Sequence, residues 1–226
     1  MIKCITFDLD DTLWNIEPVI NRAEIEFQKW LKMNYHEVYE NVSIEQLRKL
    51  IRQTAQENPK IKHDLTKVRI CAYNKLRNIF GLSENMPEDA FNYFMRYRNK
   101  VELFDNVEDI LSKLKQKYSI GTITNGNASL EKIGIKKYFD FEIKASDVGY
   151  MKPNKEIFQA AIDKANCTPS QMVHVGDSYE KDIIGAMSLN MNYIWINHNN
   201  LIKDNIESRY VINSFDEIMN VLEKME

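Results

Sequence analysis

The sequence predicts an α/β fold, a parallel sheet flanked by helices, with an inserted helical bundle after the first strand. Three observations carry this. Met1 leads directly into an apolar, β-rich stretch from Ile2 to Leu9. From about Asn15 to Lys100 the chain holds long helix-compatible runs, and from about Val101 it alternates between short apolar strands and helical patterns. Glycine marks the same division: none precedes Gly81, whereas Gly121, Gly126, Gly134, Gly149, Gly176 and Gly185 punctuate the later part.

Taken in order, Lys3 to Phe7 forms the first strand. The helical insertion breaks near Asn58-Pro59 and between Gly81 and Pro87. Within it Leu65, Val68, Ala72, Leu76 and Ile79 recur at helical spacing behind Asp64, a helix-start residue. Ile44, Leu47, Leu50 and Ile51 give a second stripe, and Ile20, Ala23, Glu24 and Phe27 begin a third, so a small bundle is expected. Next come a helix at Asp109 to Lys117, a strand at Ser119 to Ile123, a strand at Ile143 to Ala145 and a helix at Glu156 to Ala165. A strand at Met172 to Val175, a helix at Asp182 to Leu189 and a strand at Tyr193 to Ile196 follow. The alternation implies βαβ units. Residues 1–14 and 101–226 are therefore expected to form one discontinuous core domain, and 15–100 a helical domain.

The net charge of -3 gives no general attraction to phosphate backbones or anionic lipid, so neither nucleic acid nor membrane is expected as a partner. No run approaches the roughly 18 apolar residues of a membrane span. The start reads as a structural strand rather than a secretory leader. Cys4, Cys71 and Cys167 are widely spaced and form no CxxC pair, which points to a reducing cytoplasm.

In open parallel sheets, ligands bind beyond the carboxyl ends of strands. The polar residues there are Asp8, Asp10, Asp11 and Thr12 after the first strand, then Thr124-Asn125-Gly126, then Lys152-Pro153, then Gly176-Asp177-Ser178 with Asp182 beyond. Carboxylates crowded into one cleft call for a divalent cation, and hard oxygen ligands suit magnesium. Aspartate is also an established nucleophile toward phosphorus, and Lys152, Thr124 and Asn125 supply charge and donors for phosphoryl oxygens. Taken alone, Thr124-Asn125-Gly126 also fits a simple turn, and Asp182 a simple helix cap. His174 sits in an apolar run and reads as a core histidine.

Together, Asp8-Leu9-Asp10-Asp11-Thr12, Thr124-Asn125-Gly126, Lys152-Pro153 and Gly176 to Asp182 resemble the four ordered motifs of the haloacid dehalogenase (HAD) superfamily. The resemblance implies a HAD-like Rossmannoid core with a helical C1 cap. It implies a magnesium-dependent phosphatase acting through a phosphoaspartate, with Asp8 as nucleophile and metal ligand and Asp10 as general acid and then base, its backbone carbonyl facing the metal. Thr124 and Lys152 would bind the phosphoryl group and Asn125 would be a substrate-side donor. Asp177 would hold the metal, and Asp182 would hold it or orient its waters. In the cap, His63, Asp64 and Arg69 are specificity candidates. Trp14 is another, although packing suits it better.

The stretches Ile5 to Arg22, His63 to Thr66, Ile123 to Ala128 and His174 to Asp177 are similar to bacterial phosphatases of riboflavin biosynthesis. Those act on flavin mononucleotide (FMN) and 5-amino-6-(5-phospho-D-ribitylamino)uracil. The implied partner is a small-molecule phosphate ester, with monomer and homodimer both open. A β-phosphoglucomutase-like transferase or a non-catalytic binding protein are the alternatives. A haloacid dehalogenase would lack the second Asp of the first motif, and no cap lysine stands out as the Schiff base of a phosphonatase. Hinges are expected near Trp14 to Glu17 and Lys100 to Phe104.

Overall fold

The structure, a computed structural model, describes residues 1–203, 206–207 and 210–225. In chain order the principal elements are β1 (Cys4–Phe7), α1 (Ile16–Asn34), α2 (His36–Asn41), α3 (Ile44–Glu57), α4 (Leu65–Phe80), α5 (Met86–Arg98), α6 (Val107–Lys115) and β2 (Ser119–Thr124). Then come α7 (Leu130–Ile133), β3 (Phe141–Lys144), α8 (Ala145–Val148), α9 (Lys155–Ala165), β4 (Met172–Gly176), α10 (Ile184–Met187), β5 (Asn192–Ile196), β6 (Val211–Ile212) and α11 (Ile218–Met225). They fall into two compact units: Met1–Asn15 with Glu102–Gly126 and Leu130–Glu226, and Ile16–Val101 with Asn127–Ser129.

The first unit holds an all-parallel sheet in the order β3-β2-β1-β4-β5-β6. β1 and β4 are buried along their whole length, as strands covered on both faces must be. On one face Phe158, Ile157 and Ala161 of α9 pack with Ile123, Phe141 and Ile143. Phe7 meets Phe215 at 5.8 Å between ring centroids. The sheet grows outward from β1 in one direction through β2 and β3, and in the other through β4 to β6. That reversal opens a crevice at the carboxyl ends of the central strands, where a ligand finds backbone and side chains converging.

Two readings of this unit change. The helix expected from Asp182 to Leu189 is a π-type turn at Tyr179–Ile183 followed by the short α10. Ser178 caps the turn, and Ile183 N–H reaches back to the Ser178 carbonyl at 3.4 Å. β6 and α11 extend the unit beyond the elements the sequence predicts, and the two-residue β6 has too few positions to show a period.

The second unit is a helical bundle around Phe27, Leu31, Tyr73, Met86 and Phe94. Phe27 stacks on Tyr73 at 5.1 Å. Ser43 and Gln46 form a reciprocal capping box on α3, and Asp64 accepts the Lys67 N–H to start α4. Gly81 ends α4 in the left-handed region at φ +63°. The buried stripe of α4 is Val68, Ala72, Tyr73 and Leu76; Leu65 and Ile79, expected inside, are 40% and 70% exposed at the helix ends. Glu24 is buried as its stripe required, and Arg48 donates to it through both Nε and Nη2. Asn127 Nδ2 donates to Thr66 Oγ1 at 3.3 Å, and Ser129 N–H to Asn99 Oδ1 at 2.7 Å. No described helix is long and apolar enough to cross a membrane.

Candidate active site

Asp8 follows β1 directly, its N–H bonded to the Val175 carbonyl of β4 at 2.9 Å. The chain then turns tightly: Leu13 N–H returns to the Leu9 carbonyl at 2.8 Å, and Asp11 takes φ +60°, a conformation aspartate tolerates better than most residues. His198 Nε2 lies 2.8 Å from the Asp11 carbonyl. Trp14 closes the turn through its carbonyl to Asp11 N–H at 2.8 Å, and its indole N–H donates to Asp10 Oδ1 at 2.9 Å. Trp14 has no exposed surface. A fully buried ring with its N–H on Asp10 fits the packing role expected for Trp14 better than substrate contact.

Lys152 is the hub. Its side chain is 1% exposed, and its ammonium is 2.7 Å from Asp8 Oδ1 and 2.6 Å from Asp182 Oδ1. The peptide of Lys152 is clasped from both sides by Asn125, whose Oδ1 accepts its N–H at 2.7 Å and whose Nδ2 donates to its carbonyl at 3.1 Å. Asn125, expected as a substrate-side donor, thus has its amide on the backbone that delivers Lys152. Thr124 is 1% exposed and accepts Gly126 N–H at 2.9 Å, which leaves its own hydroxyl proton to donate.

Asp177 and Asp182 arrive from the other side of the crevice. Thr12 Oγ1 donates to Asp177 Oδ1 at 3.2 Å, and Trp195 Nε1 holds the Asp177 carbonyl at 2.8 Å. Asp182 is fully buried: Oδ2 accepts Ser178 N–H at 2.9 Å, and Oδ1 meets both Lys152 and His174 Nε2, the latter at 3.1 Å. The glycine at 176 is explained by this carboxylate, because a Cβ there would lie 2.3 Å from Asp182 Cγ.

Burial, with the neighbouring Asp182 and Asp177 charges, pushes the Asp8 carboxyl up to about 8 against the pull of Lys152. Burial and the charges of Asp182 and Asp11 raise Asp177 to about 6. Asp182 goes the other way: burial opposes ionisation, but the Lys152 charge and the His174 bond hold it far below the ordinary carboxylate range. Burial also acts against the Lys152 ammonium, yet Asp182 and Asp8 outweigh it and raise its pKa. Burial depresses the His174 imidazole despite Asp182. One oxygen from each of Asp8, Asp177 and Asp182 lies within 4.8 Å of the others. A hard divalent cation fits this donor set, since two of the carboxylates are hard to ionise together without one. The side chain of Asp10 is outside that cluster.

In the helical unit Asp64 is a cap, and Lys67 Nζ sits 3.2 Å from its other oxygen. His63 is partly exposed. Arg69 lies 3.7 Å above the Phe94 ring and donates to Tyr73 Oη at 3.4 Å. Sequence reasoning missed His174 as a partner of Asp182. The sequence shows only a polar residue, Thr6 or His174, inside each of two apolar strands; that the two face one another in register appears in the fold alone.

Residues 2–189 match the family described as haloacid dehalogenase-like hydrolase. The chain is similar to the 5-amino-6-(5-phospho-D-ribitylamino)uracil phosphatase YigB of Escherichia coli strain K12, 32% identical with 88% of this chain and 85% of that one covered. It is similar to the glyceraldehyde 3-phosphate phosphatase of Methanothermobacter thermautotrophicus, 29% identical over 87% and 86%. Among solved structures, a 2-haloacid dehalogenase from Pseudomonas syringae pv. Tomato DC3000 superimposes with TM-score 0.92, 31% identity and full coverage of both chains. A family match across most of the chain, on a sheet whose carboxyl edge gathers all four motifs, leaves one assignment: this chain belongs to the haloacid dehalogenase-like hydrolases.

Proposed function

We propose that this hydrolase is a phosphatase of small phosphate esters that works through a phosphoaspartate on Asp8. The carrying observation is the contact of Asp8 Oδ1 with the buried Lys152 ammonium, beside Asp177 and Asp182, with Thr124 at the end of the adjacent strand. In the first half-reaction an Asp8 oxygen bonds to phosphorus while the bond to the ester oxygen breaks, and Asp10 gives its proton to that oxygen. In the second, water attacks phosphorus, Asp10 takes a proton from it, and the bond to Asp8 breaks to release inorganic phosphate. Trp14 keeps Asp10 aimed for both proton transfers. Lys152 and the Thr124 hydroxyl neutralise and hold the phosphoryl oxygens, and Asn125 fixes where Lys152 stands.

Asp8 and Asp177, with the Asp10 carbonyl, are the residues that would hold magnesium, and Asp182, its oxygens taken by Lys152, His174 and Ser178, would orient the site from outside. When bound, magnesium would supply positive charge that keeps the carboxylates ionised and offsets charge on the transferring group.

The similarity to YigB favours FMN or 5-amino-6-(5-phospho-D-ribitylamino)uracil as substrate. The likeness to a 2-haloacid dehalogenase favours a second reading, displacement of halide by Asp8. That chemistry has no use for a proton donor, whereas here the Trp14 indole holds Asp10 beside the nucleophile's turn. The test is release of phosphate from FMN, ribitol and sugar phosphates and nucleotides, and of halide from 2-chloropropionate, with magnesium or EDTA. Phosphate release that requires magnesium and falls about 10⁴-fold or more in Asp8→Asn upholds the proposal. Halide release alone replaces it with the dehalogenase reading, and release of neither overturns both.

A further inference from the structure

We infer that His174 is a positioning residue: by donating from Nε2 to Asp182 it locks the carboxylate against which Lys152 is aligned toward Asp8. This rests on the roles of Asp8 and Lys152 proposed above. His174 is fully buried in β4, opposite Thr6 of β1 in register, with the Phe158 ring edge-on at 5.2 Å. Nδ1 lies 3.0 Å from Thr6 Oγ1 and Nε2 lies 3.1 Å from Asp182 Oδ1.

The proton positions follow from what each atom can do. Asp182 Oδ1 already receives Lys152 at 2.6 Å, and an ionised carboxylate only accepts, so Nε2 carries the ring proton. Nδ1 is then the acceptor, and the single Thr6 hydroxyl proton goes to it in preference to the Val173 carbonyl at 3.4 Å. The result is a directed chain from Thr6 through His174 to Asp182.

Its mechanical effect lies in the number of donors on one carboxylate. Ser178 N–H fixes Oδ2, while Lys152 and His174 approach Oδ1. Without the imidazole, Oδ1 answers to Lys152 alone and draws the ammonium away from Asp8, with which it is shared. A charge still present but displaced weakens the transition state more than the bound ester, whose contacts are looser.

The test compares His174→Met, which removes the donor at similar bulk, with His174→Gln, whose amide can donate from a position like that of Nε2. For His174→Met the expected result is a kcat lower by about 10- to 100-fold with KM within about threefold of wild type. His174→Gln should recover most of kcat. Thermal melting of both variants separates this from a packing defect. A His174→Met kcat equal to wild type, or two variants equally impaired at equal melting temperature, overturns the inference. Nitrogen-15 spectra of the wild-type imidazole supply a readout independent of turnover: Nε2–H is expected, and Nδ1–H overturns the inference. Should the wild type turn over no ester, the functional proposal falls, and the His174 bond is still judged by that tautomer and by the Lys152 Nζ resonance. A shift of that resonance in His174→Met upholds the alignment, and an unchanged one overturns it.

Discussion

The two units differ in what their polar side chains are for. In the sheet unit, hydrogen bonds join segments far apart in the chain: Thr6 to His174 across 168 residues and Thr12 to Asp177 across 165, with Lys152 and Asp182 almost wholly buried. In the helical unit many act within a turn of one helix, as in Asp64 to Lys67, Thr54 to the Leu50 carbonyl and Asn74 to the Ile70 carbonyl. Long-range buried bonds fix a side chain's position only when the whole fold is formed, and they are costly to leave unpaired. Local caps define helix ends and leave the outward surface free to vary. Side chains that need placement to a fraction of an ångström are served by the first kind of bond, and Arg69 tests whether the helical unit has any part in reading a substrate.

The hardest test of this contrast is Lys152→Met. Removing the ammonium leaves the Asp8 and Asp182 carboxylates without their shared cation. Loss of one partner of a buried pair costs about 3–5 kcal/mol, so a lower melting temperature in EDTA is expected. With magnesium, kcat should fall about 10²- to 10³-fold. A variant as stable and as active as wild type would break the contrast at its centre. In the helical unit Arg69→Met keeps the aliphatic stem while removing the charge over Phe94, a contact worth about 0.5–1 kcal/mol at a partly exposed site. If Arg69 reads substrate, KM for the preferred ester should change about tenfold with kcat within about twofold. A kcat loss comparable to that of Lys152→Met would assign Arg69 to the chemistry instead.

The same contrast governs what the sequence discloses. Strands that end in short polar clusters are legible because burial makes them continuous apolar runs, so the residues of the carboxyl edge stand out in the sequence itself. Asp8, Thr124 and Asp177 are legible in that way, whereas Lys152 lies beyond α8 and stands out only as part of the ordered set of motifs. What those residues touch is not. The clasp of Asn125 on the Lys152 peptide, the indole of Trp14 on Asp10 and the imidazole of His174 on Asp182 all depend on pairings between strands or turns. His174 escapes sequence reasoning because a buried histidine and a positioning histidine have the same neighbours along the chain. Ile79 misleads it because helical spacing continues to the last turn, where the partner surface has ended.

Asp140 supplies the smallest effect and the sharpest control, because it is a long-range polar anchor of the sheet unit away from the motifs. Its carboxylate accepts Ile120 N–H at 2.9 Å, Ser119 Oγ at 3.1 Å and Lys115 Nζ at 2.9 Å, pinning the start of β2. Burial pushes its pKa upward, but the bonds from Lys115 and Ile120 outweigh burial and lower it. A carboxyl whose folded value lies below its unfolded value adds stability above the unfolded pKa, about 3.9, and loses it as pH falls through the folded value. The side chain is 44% exposed, so solvent screening limits the effect to about 1 kcal/mol or less. Asp140→Asn should therefore melt slightly below wild type at pH 7, converge with it as pH falls below the ordinary carboxylate range, and keep wild-type kcat at pH 7. Convergence on raising the pH would reverse the assigned sign. A kcat loss at unchanged stability would show that the site depends on sheet anchors well beyond the residues that line it, and the division between positioning network and general scaffold would then have to be drawn around β2 as a whole.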